Sequence, residues 1–152
     1  MGVSKWTTPY AIWAEKATPD IDLDRPMSDR QRWGLALEDK IAEAFEAATG
    51  FETYLPASLG DDLVATHLIL WHAGAVDGRA VPLFATPDRY VRVPGCDQLA
   101  LAELKTAGAE RAADWADGPP VEYLIQVQVQ LACCPSAPWA YIAVLIGGND
   151  FR

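Results

Sequence analysis

The sequence predicts an α/β domain, and three observations carry that expectation. A stretch from Ser28 to Gly50 places apolar residues at helical spacing. From Glu52 to Thr106 the chain runs through short segments rich in β-branched and aromatic residues, cut by glycine-containing turns. A length of 152 residues, 51% hydrophobic and 22% charged, suits one domain with a proper core and excludes disordered, collagenous or mucin-like chains.

The formal charge of −9 argues against a broad basic surface that coats nucleic acid or an anionic membrane. The charge is unevenly spread, because seven acids between residues 37 and 62 face only Lys40. Cys96, Cys133 and Cys134 are too few and too oddly numbered for a disulfide scaffold, which implies a reducing compartment. The longest apolar run, Ala140 to Ile146, is too short to span a bilayer, and no secretory signal opens the chain. A cytoplasmic protein with no membrane partner is expected.

In the first long helix Ser28 is the expected N-cap, Asp29 lies in the first turn, and Gly50 stops the helix after Thr49. Gly34, Ile41, Phe45 and Ala48 form the apolar stripe, with Leu37 at its margin. Glu38 falls in the middle of that stripe, whereas Asp39, Glu43 and Glu46 point toward water. A carboxylate on a buried face is costly unless it meets a cation or takes up a proton. Glu38 therefore either pairs with an arginine such as Arg32 or Arg89, or reaches a metal or catalytic centre under the helix.

Strands are expected at Glu52 to Leu55, Thr66 to Trp71 and Val81 to Val93. Pro94-Gly95-Cys96-Asp97 is a turn signal that joins Asp88 to Val93 with Leu99 to Thr106 as a hairpin. If the hairpin is symmetric about that turn, Asp88 falls opposite Glu103. Alternation puts Glu103 and Lys105 on one face with Leu99 and Leu101, and Ala100, Ala102 and Leu104 on the other. Both faces are apolar, so the strand should be central. Asp88, Glu103 and the Leu104 carbonyl form a hard-oxygen set suited to a divalent cation, with Glu38 arriving from the helix. Lys105 can orient or deprotonate a water there, or stabilise a transition state. The alternative is a plain cross-strand Lys–Glu pair, with Asp88 ending a turn.

Further along, residues 107 to 118 read as a loop or short helix beside this site. Ile125 to Leu131 alternates strictly and by pattern alone is a half-buried strand. Pro119-Pro120 just upstream suits a helix start instead. As a helix, the segment carries Tyr123, Gln126 and Gln130 on one face. His67 and His72 fall on opposite faces of β-structure and are read as structural.

Thr86-Pro87-Asp88 and, after 14 intervening residues, Glu103-Leu104-Lys105 match the PD-(D/E)xK signature of restriction-endonuclease-like nucleases. Trp33-Gly34-Leu35-Ala36-Leu37-Glu38 with Thr49-Gly50 resembles the first helix of the YqaJ-like viral recombinase family, the phage-type alkaline exonucleases. Thr8-Pro9-Tyr10 with Trp13 and Lys16 resembles that family's opening segment. Tyr123, Gln126, Gln128 and Leu131 resemble its helix after the catalytic strand, and Leu145-Ile146-Gly147-Gly148 with Phe151-Arg152 the strand end beyond.

The resemblance implies a restriction-endonuclease-like core, a central mixed β-sheet flanked by helices. Residues 1–152 would be a single nuclease domain lacking the family's N- and C-terminal extensions. By position, Glu38, Asp88 and Glu103 would be metal-binding acids with the Leu104 carbonyl, and Lys105 the catalytic lysine beside Asp88 and Glu103. Thr86 would help hold a terminal phosphate, Arg89 would stand beside the scissile phosphate, and Gln126 would lie near the metal. The implied cofactor is Mg²⁺, with Mn²⁺ as a substitute. The implied activity is hydrolysis of linear double-stranded DNA from its ends, with a single-strand annealing protein as partner and a homotrimeric ring as assembly. An endonuclease of the same superfamily, or a non-catalytic DNA-binding or assembly module, is the alternative.

Overall fold

A computed structural model describes residues 26–56 and 85–152, together with the backbone of short strands at 68–69, 75–76, 79–80 and 83–84 and isolated positions near the N-terminus. The readings of Trp13, Lys16, His67, His72 and Val81 fall on residues outside those described. The chain divides into two compact units, Met1–Trp33 and Gly34–Arg152, and the second carries the sheet.

Helix α1 (Asp29–Thr49) has the predicted limits. Its start is a reciprocal capping box. Gln31 N donates to Ser28 Oγ at 3.3 Å, and Ser28 N donates to Gln31 Oε1 at 2.8 Å, so two backbone donors that the helix leaves over are satisfied. At the other end Gly50 takes φ +72°, a left-handed cap that costs a residue without Cβ nothing. The buried stripe is Ile41, Ala42 and Phe45. Ala48, expected within it, is exposed, because the buried set is centred so that residue 48 falls to its margin.

The main sheet has five strands, and their order across it follows the chain. These are β1 (Glu52–Tyr54), β6 (Arg89–Arg92), β7 (Leu99–Ala107), β8 (Ala140–Ile146) and β9 (Asp150–Phe151). The short pairs β2 (Leu68–Ile69) with β5 (Leu83–Phe84), and β3 (Ala75–Val76) with β4 (Arg79–Ala80), stand apart from it. The expected long strand at 81–93 is interrupted between β5 and β6. Pro87 has no N–H to give a ladder there and biases Thr86 toward a turn-compatible conformation.

β6 and β7 are antiparallel with Arg89 facing Ala102 and Arg92 facing Leu99. Cys96 N donates to Val93 O at 3.0 Å across Pro94-Gly95, and Gly95 takes φ +79°, which makes a type II turn. β8 runs parallel to β7, Leu101 beside Ala140 through Ala107 beside Ile146. Parallel neighbours need a crossover, supplied here by a 3₁₀ helix (Ala109–Trp115) and helix α2 (Val121–Cys133). The segment 125–131, strand-like by alternation but read as a helix from Pro119-Pro120 and the family resemblance, is thus helical. A crossover must lie on one face of the sheet, and there its Val127 and Gln130 find burial that a further strand would not.

This mixed α/β architecture is compatible with a restriction-endonuclease-like core. On one face α1 packs Ile41, Ala42 and Phe45 onto Val91, Ala100, Ala102, Leu104 and Ala143. On the other, Tyr90 and Leu101 meet Leu131, Cys134 and Ala137, and Trp115 meets Val144 and Ile146. β7 is therefore central and covered on both sides, as its two apolar faces predict.

Candidate active site

Continuing the β6–β7 register one step beyond Arg89 and Ala102 brings Asp88 opposite Glu103, the juxtaposition expected from the turn. Asp88 stands at a bend just before β6, and its Oδ2 accepts from Leu104 N at 2.7 Å. The strand's own backbone thus clamps one acid against the segment that carries the other. Burial and the facing Glu103 push the Asp88 carboxyl up to about 6, against the smaller opposing pull of the Leu104 N–H and Lys105.

Glu103 is 1% exposed. Three donors share its carboxylate. Lys105, on the same face of β7, pairs with Oε1. Gln126 Nε2 also reaches Oε1, at 2.5 Å, and Gln130 Nε2 reaches Oε2 at 2.5 Å. Both glutamines come from α2, one turn apart, so the helix that sequence periodicity disguised is what satisfies this buried charge. Lys105 Nζ also stands 5.3 Å from the centroid of the Tyr123 ring, which stacks on Trp115 at 5.3 Å between centroids. The segment at 107 to 118 therefore does flank the site.

Glu38 lies half-buried on α1, and burial raises its carboxyl above the ordinary range, with Arg89 opposing and Glu103 adding to the rise. The alternative reading of Glu38, an ion pair with Arg89, is not what forms. Arg89 is 5% exposed, and its guanidinium donates to Asp39 Oδ1 at 2.5 Å and to the Asp88 carbonyl at 2.8 Å. Asp39, read from the sequence as facing water, has a side chain 79% exposed and still supplies that partner. Glu46 likewise turns inward, accepting from Thr53 N at 2.7 Å and from Thr53 Oγ1 at 2.6 Å. Neither pairing has a local signal, because each joins residues from separate elements.

Arg89 shares its face of the sheet with Val91 and α1, whereas Glu103 and Lys105 lie on the α2 face. The structure thus brings Asp88, Glu103, Lys105 and Gln126 together and leaves Arg89 apart. Thr86 is exposed, and its carbonyl accepts from Gln130 Nε2 at 3.2 Å. The sequence places Gln130 on one helix face with Gln126, but its partners, Glu103 and the Thr86 carbonyl, have no signal there.

The donor chemistry of Asp88, Glu103 and the Leu104 carbonyl suits a hard divalent cation. Among the described residues, no three Asp, Glu, His or Cys side chains stand together in a cage able to hold an ion. Glu38 is within electrostatic reach of the acids rather than gathered with them.

The mixed sheet, with an acid-bearing hairpin and an acid-x-lysine strand, is compatible with a restriction-endonuclease-like core. The family model of the YqaJ-like viral recombinase domain matches residues 1–136, and the chain belongs to that family. It is 31% identical over 153 residues to the uncharacterized protein YqaJ of Bacillus subtilis (strain 168), an alignment that covers 99% of this chain and 42% of that protein. The chain thus spans less than half the length of the curated relative it matches. No solved structure gives a match. Among the described residues no helix is long and apolar enough to cross a membrane.

Proposed function

We propose that this chain is a divalent-metal-dependent deoxyribonuclease that hydrolyses phosphodiester bonds of linear double-stranded DNA from its ends. The facing of Asp88 and Glu103 carries this reading, with Lys105 on the same strand face as Glu103. Two acids pressed together out of water are poor stability chemistry, as the raised Asp88 carboxyl records. They would serve as a ligand pair for Mg²⁺, or for Mn²⁺ in its place, beside the Leu104 carbonyl, with Glu38 on α1 adding negative charge from within electrostatic reach. The bound ion would supply a water activated at neutral pH and offset charge building on the phosphate.

The chain's own residues do the rest. Lys105, poised between Glu103 and the Tyr123 ring, stabilises the charge that grows on the non-bridging oxygens. The water oxygen bonds to phosphorus and gives up a proton as the bond to the leaving sugar oxygen breaks. The leaving oxygen takes up a proton from solvent, so that the two balance. Gln126, beside Glu103 Oε1, lies near the position the ion would take, and the exposed Thr86 hydroxyl serves a terminal phosphate. Arg89, beside the Asp88 carbonyl, steadies the loop that carries Asp88. A homotrimeric ring, an annealing-protein partner and a cytoplasmic setting belong to this same reading.

The test is digestion of linear duplex DNA with Mg²⁺, beside Lys105→Ala. Wild type should degrade the duplex and the variant should lose at least about a hundredfold. Equal inertness of both would sink the enzymatic reading. A covalently closed circle separates exonuclease from endonuclease, since only the latter cuts it.

One observation favours a second reading, a non-catalytic DNA-binding or assembly module. Glu103 already has Lys105, Gln126 and Gln130 on its two oxygens. A scaffold of that kind has no use for a defined Mn²⁺ site, so a flat calorimetric titration would favour it.

A further inference from the structure

Gln130 is 3% exposed, and its hydrogen bonding is lopsided. Nε2 donates to Glu103 Oε2 at 2.5 Å and to the Thr86 carbonyl at 3.2 Å. Oε1 is buried without a hydrogen-bond partner among the described residues. Turning the amide over would not help, because it would set Oε1 against a carboxylate oxygen and a carbonyl, which both only accept. A position chosen for core stability alone would hold leucine or methionine, with no polar atom to leave unpaired. The side chain is therefore committed to its two acceptors, and those acceptors belong to the two segments that carry the acids.

Gln126 differs. Its residue is exposed, and it shares Oε1 of Glu103 with Lys105. Oε1 can turn to an ion only if Lys105 or Gln126 lets go, whereas among the described residues Oε2 has Gln130 alone.

We infer that Gln130 is a positioning residue, a bracket tying the Thr86-Pro87-Asp88 segment to Glu103 and holding Oε2 while Oε1 exchanges its donors for an ion. This rests on the reading of Asp88 and Glu103 as metal-binding acids. Groups that orient ligands in this way typically contribute about 10- to 100-fold in metal affinity.

Calorimetric titration with Mn²⁺ compares wild type, Gln130→Met and, as a control on the exposed face of the same helix, Gln128→Met. Gln130→Met should bind about tenfold more weakly or worse, with Gln128→Met within about threefold of wild type. Affinity unchanged in a folded Gln130→Met overturns the bracket, as does an equal loss in both variants. Wild type that takes up no Mn²⁺ overturns the underlying site as well, which distinguishes the two failures. A second measurement needs no variant. In wild type labelled with ¹⁵N-glutamine, adding Mg²⁺ should shift the Gln126 side-chain amide toward solvent values and leave that of Gln130 slowly exchanging. Movement of Gln130 to solvent-like exchange would overturn the proposal.

Discussion

Asp88 keeps a carboxyl near 6 because folding removes it from water and sets it against Glu103. Its folded value lies above the ordinary 3.8, so between those values the folded chain holds a proton that the unfolded chain has released. Stability therefore falls as pH rises through this window and stays lowered above it. In a chelating buffer, Asp88→Asn should be the more stable protein at neutral pH, by on the order of 2 kcal/mol. The gap should close as pH drops toward about 4. Urea unfolding across that range checks it, and a gap independent of pH would show that Asp88 carries no such burden. This opposition of acids was legible beforehand, since a hairpin symmetric about Pro94-Gly95-Cys96-Asp97 has its midpoint between Gly95 and Cys96 and counting does the rest. Glu38 was legible too, as a carboxylate in an apolar stripe. The partner of Arg89 was not: Asp39 stands 50 residues away, and no period links them.

Helix α2 shows where pattern reaches its limit among the elements. Ile125 to Leu131 alternates as a strand would, yet Val127, Gln130 and Cys133 are the residues it buries, at helical spacing. Alternating glutamine and aliphatic residues satisfies both periods over two turns, so length and the crossover requirement had to decide. Gln128 is exposed within this helix. Gln128→Pro should cost about 3 kcal/mol or more and detach Glu103 from its donors, because proline removes a helical N–H and clashes with the preceding turn. Gln128→Ala should stay within about 0.5 kcal/mol of wild type. Equilibrium unfolding measures both, and a tolerated proline would mean that the helix contributes little to the fold.

Across the whole molecule the described cations are largely matched internally. Arg32 pairs with Asp29, Lys40 with Glu43, Arg89 with Asp39, Lys105 with Glu103, Arg111 with Asp114 and Arg152 with Asp150. With a net charge of −9, little positive surface is left to release counterions from duplex DNA. Binding to linear duplex in chelator should be weak, with a log–log salt slope of about 2 or less, and should strengthen when Ca²⁺ or Mg²⁺ is added. A filter-binding series in both buffers reads this. Tight, steeply salt-dependent binding in chelator would instead reveal a basic surface formed elsewhere in the chain.

Amino-acid order by itself determined the features that depend on near neighbours. The Ser28–Gln31 cap, the Gly50 stop, the Pro94-Gly95 turn, the register that sets Asp88 against Glu103 and the two apolar faces of β7 all follow from short-range geometry. Only the tertiary structure decided that α2 is a crossover helix, that its two glutamines converge on one buried carboxylate, and that Arg89 spends its charge on Asp39. Those outcomes depend on which surfaces meet when the sheet is covered from both sides. Desolvation then forces each buried charge to the nearest available partner, wherever in the chain that partner lies.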